Sequence, residues 1–240
     1  MNANPLLIDL AAEPGRAALL LDVDGTLAPI VTRPEDARVP DETRSLLHEL
    51  AARYALVACV SGRSSDEARR IVGVEELLYV GTHGLELAPG AEVWRDQIER
   101  FVATVDWPAE WIEDKSLSLS LHYRQSAEPE QSRLALERIA EAAEEVGLYA
   151  RFGRMTLEIL PPVEADKGTA IRSLLDEREL MRALYAGDDT TDLDAFRALD
   201  GLELGICVAL SSSEAPAALM EAADIVLAGP EELAELLRAL

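Results

Sequence analysis

Apolar positions along this chain follow two rhythms. In the first and last thirds they gather into short unbroken runs: "AALLLD" (17–22), "ALVACV" (55–60), "ELLYVG" (76–81), "RALYAG" (182–187), "LGICVAL" (204–210) and "DIVLAG" (224–229). Helical spacing separates them. Residues 41–53 follow Pro40, open on acids and carry Leu46, Leu47 and Leu50, and further helices are expected over "SSDEARRIV", about 167–179, near 190–198, near 214–222 and at the C-terminus. Continuous apolar strands alternating with helices predict a Rossmann-like α/β fold, a parallel sheet covered on both faces.

The middle has period two instead. "SLSLSLHYR" (116–124) sets serines, His122 and Arg124 against leucines, and "MTLEIL" (155–160) sets Thr156 and Glu158 against Met155, Leu157 and Ile159. Such strands have one wet face, as in an antiparallel sheet, and helical patterns at about 95–105 and 128–146 would cover the dry one. All three tryptophans (94, 107, 111) fall here. The expected organisation is a core of residues 1–84 and 163–240 interrupted by an inserted α+β domain, 85–162.

Composition narrows the classes. With 240 residues, 49% of them hydrophobic, the chain can bury a core without a partner. No apolar run approaches the ~20 residues of a membrane span. The first residues lack the basic and apolar segments of a leader, so a cytoplasmic protein is expected. A formal charge of −23 argues against nucleic acid and anionic membranes as partners. An anionic substrate then needs a local cation. Cys59 and Cys207 each lie inside an apolar run and read as core residues. Of 22 basic residues only Lys115 and Lys167 are lysine, which marks both as places where a compact ammonium suits and a planar guanidinium does not.

Parallel sheets bind ligands outside the carboxyl ends of their strands. There the sequence places Asp22-Val23-Asp24-Gly25-Thr26, Ser61-Gly62-Arg63, Asp166-Lys167-Gly168 and Gly187-Asp188-Asp189-Thr190-Thr191-Asp192. Carboxylates so crowded oppose folding unless a cation joins them, and hard oxygen ligands suit Mg²⁺.

These four stretches, in this order, resemble the motifs of the haloacid dehalogenase superfamily of phosphatases. The resemblance implies Asp22 as nucleophile, Asp24 as acid and base, and Ser61 with nearby amides on the phosphoryl oxygens. Lys167 would offset charge. Mg²⁺ would be held by Asp22, the Asp24 carbonyl and Asp188, with Asp189 or Asp192 completing or orienting that set. An aspartate at 24 favours fast turnover of the phosphoenzyme. The inserted domain occupies the place of the superfamily's α/β cap, which chooses the substrate.

Finer segments, "GTHGLE", "KSLSLSLHYR", "LEILPP…DKG" and "GDDTTDLDAF", resemble the trehalose-6-phosphate phosphatases. That resemblance implies sugar contacts from His83, Lys115, Glu158 and Arg124, with Gly62 and Arg63 beside the phosphate. Strand parity would put Lys115 on the leucine face, so it is expected in the preceding turn. The implied function is Mg²⁺-dependent hydrolysis of trehalose 6-phosphate by a monomer. The alternatives are another sugar phosphate (sucrose phosphate, mannosyl-phosphoglycerate, a hexose phosphate), a phosphomutase, or a regulatory module without activity. The last predicts losses among the acids, and Asp22, Asp24, Lys167, Asp188 and Asp189 are all present.

Overall fold

A computed structural model describes residues 4–31, 33–153, 155–212 and 215–240. They form two compact units, Met1–Gly84 with Ala165–Leu240, and Leu85–Glu164. In chain order the first unit opens with α1 (Pro5–Ala12), β1 (Ala17–Leu21), α2 (Asp41–Ala51), β2 (Leu56–Val60), α3 (Ser65–Val72) and β3 (Leu78–Val80). The second unit follows, with α4 (Arg95–Val102), β4 (Ile112–Asp114), β5 (Leu119–His122), α5 (Pro129–Glu145), β6 (Tyr149–Gly153) and β7 (Thr156–Leu160). The first unit resumes with α6 (Lys167–Glu177), β8 (Arg182–Gly187), α7 (Asp192–Ala198), β9 (Leu204–Leu210), α8 (Ala217–Ala222), β10 (Ile225–Leu227) and α9 (Pro230–Arg238).

The first unit's six strands run in the order β10-β9-β8-β1-β2-β3, every neighbour parallel. β1 and β2 are buried at every position because helices cover both faces. Their odd and even side chains therefore feed separate cores. Leu19, Leu21, Val57 and Cys59 pack with Leu47, Leu50 and Ile71, while Ala18, Leu20, Ala58 and Val60 pack with Ile171, Leu174 and Phe196. This double burial is why the strands read as unbroken apolar runs.

The second unit is a four-stranded antiparallel sheet, β4-β5-β7-β6. Leu119, Leu121, Leu157 and Ile159 of its apolar face pack with Ile98 and Phe101 of α4 and with Leu136, Ala140 and Ala143 of α5. On the other face Ser118 and Ser120 are also buried, so that face is not wet along its whole length. Ser120 stands in register between Glu113 and Glu158, whose longer side chains flank it.

Three elements lie beyond the expected set: α1, β4 and β6. The expected helix near 214–222 begins at Ala217 in the structure, and Glu214 is outside the described residues. Both cysteines are free thiols; Cys59 is buried and Cys207 half-buried.

Candidate active site

β1 ends by delivering Asp22 to the edge of the parallel sheet. Its amide still donates to the Ala186 carbonyl of β8 at 2.9 Å, so the carboxylate is fixed from the strand itself. The next residues turn back on themselves. The amides of Leu27 and Ala28 donate to the Val23 carbonyl at 3.0 and 2.8 Å, and that of Gly25 to the Ala28 carbonyl at 2.8 Å. Val23 and Leu27 anchor this loop in the core. Gly25 has φ +76°, and a Cβ there would lie 2.1 Å from Asp188 Oδ2. The missing side chain is what lets the Asp188 carboxylate lie against the loop. Thr26 Oγ1 donates to Asp188 Oδ1 across 3.4 Å.

Lys167 enters as the first residue of α6. Asp166 caps that helix reciprocally with Thr169, its carboxylate accepting from the Thr169 amide at 2.7 Å. Lys167 is buried, and its ammonium donates to Asp22 Oδ1 at 2.8 Å and to Asp192 Oδ1 at 2.7 Å. Asp192 is wholly buried. The same Oδ1 accepts from the Tyr185 hydroxyl at 2.6 Å, while Oδ2 accepts the amides of Asp188 and Asp189, each at 2.8 Å. Asp192 thus fixes both the lysine and the loop bearing Asp188. Gly187 permits this, since a Cβ there would lie 2.3 Å from Asp192 Cγ.

The charges do not cancel. Asp22, Asp188 and Asp192 offer oxygens that all lie within 4.8 Å of one another, and one ammonium faces them. Burial pushes the Asp22 carboxyl above the usual carboxylate range, against the pull of Lys167. Burial, with Asp192 adding, pushes Asp188 up to about 7. Burial alone would lower the Lys167 ammonium, yet Asp22 and Asp192 together hold it firmly protonated. An oxygen-only, net-negative cluster of this kind fits a hard divalent cation. Asp22 and Asp188 have acceptor capacity left for it, whereas both Asp192 oxygens are already engaged. Asp189 is exposed and lies outside the three-carboxylate group. Its backbone, not its carboxylate, joins the network.

The end of β2 forms the second wall. Ser61 is buried, its amide held by the Val80 carbonyl at 2.9 Å, and its hydroxyl accepts the Arg63 amide at 3.2 Å. Arg63 reaches back to Asp24, with Nε 2.6 Å from Oδ2 and Nη2 2.8 Å from Oδ1. It also contacts Glu67 at 3.3 Å. Thr82 and His83 both have left-handed backbones, φ 51° and 53°. Their amides donate to the Arg63 and Ser61 carbonyls at 2.7 and 2.8 Å. That arrangement lays the His83 ring over Gly62, where a Cβ would lie 2.6 Å from the imidazole. The first unit therefore brings Asp22, Asp188, Asp192 and Lys167 together, pairs Asp24 with Arg63, and seats His83 on Gly62.

The remaining expected residues belong to the second unit. Lys115 lies in the β4–β5 turn, where parity placed it, its amide donating to the Ser118 carbonyl at 2.9 Å. Its ammonium is 3.5 Å from Glu113 Oε2, and His122 Nε2 is 3.2 Å from the same oxygen. Glu158 pairs with Arg151 across the β6–β7 ladder. Arg124 is exposed just beyond β5. Three partners of these side chains went unread in the sequence: Tyr185 beside Asp192, Glu113 beside Lys115, and Arg151 beside Glu158. Tyr185 offered only the signal of a hydroxyl in a strand that is apolar after Arg182.

With the geometry set out, comparison with known proteins is informative. A probable trehalose-phosphate phosphatase of rice (Oryza sativa subsp. japonica) is 33% identical over 219 residues, covering 80% of this chain and 59% of its own length. The chain spans between 58 and 62% of the length of the first curated relatives it matches. A solved trehalose-6-phosphate phosphatase related protein superposes with TM-score 0.73 at 26% identity, over 92% of this chain and 95% of that one. The Aspergillus fumigatus trehalose-6-phosphate phosphatase gives 0.64 at 26% identity, over 97 and 95%. The family model for trehalose-phosphatase matches residues 20–222, from β1 through the inserted unit to α8, and the chain belongs to that family.

Proposed function

We propose that this protein hydrolyses trehalose 6-phosphate to trehalose and phosphate, with Mg²⁺, through a phosphorylated Asp22. The observation that carries the reading is the buried Lys167 ammonium bridging Asp22 and Asp192 beside Asp188. Lys167 occupies Asp22 Oδ1 and leaves Oδ2 to attack phosphorus. The ester P–O bond breaks as the Asp22–phosphorus bond forms, and the departing sugar oxygen takes a proton from Asp24. Asp24 then accepts a proton from water as that water attacks phosphorus, releasing phosphate and restoring Asp22. Asp24 is half-exposed and held by Arg63 through both oxygens; one oxygen would leave the guanidinium to carry the proton that goes to the sugar oxygen.

Asp22, Asp188 and the Asp24 carbonyl would hold the cation, and Asp192 would keep Asp188 and Lys167 in place. Bound Mg²⁺ would neutralise charge on the phosphoryl group. The Ser61 hydroxyl and the Gly62 amide would donate to phosphoryl oxygens. Gly62 leaves room for the His83 ring, and Arg63 ties that loop to Asp24.

The second unit, as the specificity domain, would supply hydrogen-bonding groups for a disaccharide, which carries many hydroxyls and little apolar surface. Lys115 would donate and Glu158 accept, with Arg124 adding to the set; His83 would add to it from the first unit. A monomer working in the cytoplasm suits the strongly negative charge and small-molecule substrate. Among the described residues no helix is long and apolar enough to cross a membrane.

The test is phosphate release with Mg²⁺ from trehalose 6-phosphate, sucrose 6-phosphate, glucose 6-phosphate and an aryl phosphate, each with an EDTA control. Preference for trehalose 6-phosphate that EDTA abolishes is expected. Preference for another sugar phosphate keeps the chemistry and replaces the substrate. No release from any of them contradicts the reading.

A further inference from the structure

Glu158 sits in β7, an inner strand of the antiparallel sheet. It shares one register row with Ser120 and Glu113 on one side and Arg151 of the edge strand β6 on the other. The Glu158 side chain is mostly covered and that of Arg151 half exposed. A guanidinium and a carboxylate commonly meet fork to fork, one N–H on each oxygen. Here both donors go to one oxygen: Arg151 Nε donates to Glu158 Oε2 at 3.1 Å, and Nη2 donates to the same atom. Glu158 Oε1 accepts no hydrogen bond among the described residues.

We propose that Arg151 is a positioning residue for substrate recognition. It pins Glu158 by Oε2 so that Oε1 stands ready to accept a sugar hydroxyl. The proposal rests on the reading of this protein as a sugar-phosphate phosphatase and names the residue that sets its acceptor. A glutamate free to rotate would lose that freedom on binding each substrate molecule, which weakens association. Arg151 removes the freedom beforehand, through a contact made at the edge of the sheet. It touches no reacting atom, so its effect belongs in substrate affinity and not in the chemical step.

The experiment measures kcat and KM for trehalose 6-phosphate, and kcat/KM for an aryl phosphate, in wild type, Arg151→Met, Glu158→Gln and the double variant. Arg151→Met is expected to raise KM for the disaccharide about tenfold with little change in kcat. The ratio of disaccharide to aryl kcat/KM falls with it. The double variant should be no worse than Glu158→Gln alone, because Arg151 acts through that residue. Arg151→Lys, which keeps one charged donor, should recover part of the loss. A KM shift below about twofold, an additive double variant, or an equal fall on both substrates overturns the proposal. A wild-type enzyme that hydrolyses the aryl phosphate yet shows no preference for the disaccharide overturns the substrate reading first, and this proposal with it.

Discussion

The Lys167 ammonium lies 2.8 Å from Asp22 Oδ1, and both groups are buried. Removing one partner of a buried pair leaves the other charged and unsolvated, which costs about 3–5 kcal/mol. Lys167→Met strands Asp22 and Asp192 together. Urea unfolding of the metal-free protein at pH 8 should show a loss of about 3 kcal/mol. A loss below about 1 kcal/mol would mean the carboxylates do not depend on the ammonium. Arg at this position is not expected to rescue, because a planar guanidinium does not replace a point charge between two oxygens.

Metal and pH should act on the same carboxylates in opposite directions. Folding raises the proton affinity of Asp188, to about 7, and of Asp22, chiefly through burial. A group whose folded pKa is raised contributes stability below its unfolded value, near 4, and that contribution is lost as pH rises through the folded value. The metal-free protein therefore loses stability at this site between about pH 4 and pH 8. A divalent cation replaces the protons, so the rise in Tm on adding Mg²⁺ should be larger at pH 8 than at pH 5.5. An equal rise at both would contradict the placement of the cation among these groups.

Gly25 is the tightest steric constraint on that cluster. A Cβ would both strain φ +76° and press on the Asp188 carboxylate. Gly25→Ala should weaken Mg²⁺ binding, read by calorimetry, by about tenfold or more, with a smaller effect on the cores beneath. Unchanged affinity would remove Asp188 from the cation's ligands.

The parallel strands were legible because double burial leaves no polar positions in β1 or β2. The elements that escaped carry weaker signals. β4 has three residues, and β6 is an edge strand whose positions are all exposed or half-buried. Neither has an apolar face long enough to declare a period. α1 depends on the Asn4 cap and buries only Leu10 fully. In the site, the carboxylates could be assigned to strand ends from the sequence alone. The division of labour between Asp189 and Asp192 could not, because it depends on where four donors converge in space. Arg151 escaped for a related reason. Its partner lies seven residues away across a ladder, and register is set by the fold and not by spacing.

The most direct measurement is turnover of trehalose 6-phosphate by Asp22→Asn beside wild type, with the melting temperature of each. Asparagine keeps the shape and one oxygen facing Lys167, but it removes the attacking charge. Turnover should fall by more than about a thousandfold while the metal-free variant melts at or above the wild-type temperature, since Lys167 keeps Asp192 as its charged partner and one of the crowded carboxylates is gone. A folded Asp22→Asn variant that retains more than about a tenth of wild-type turnover would contradict covalent attack by Asp22.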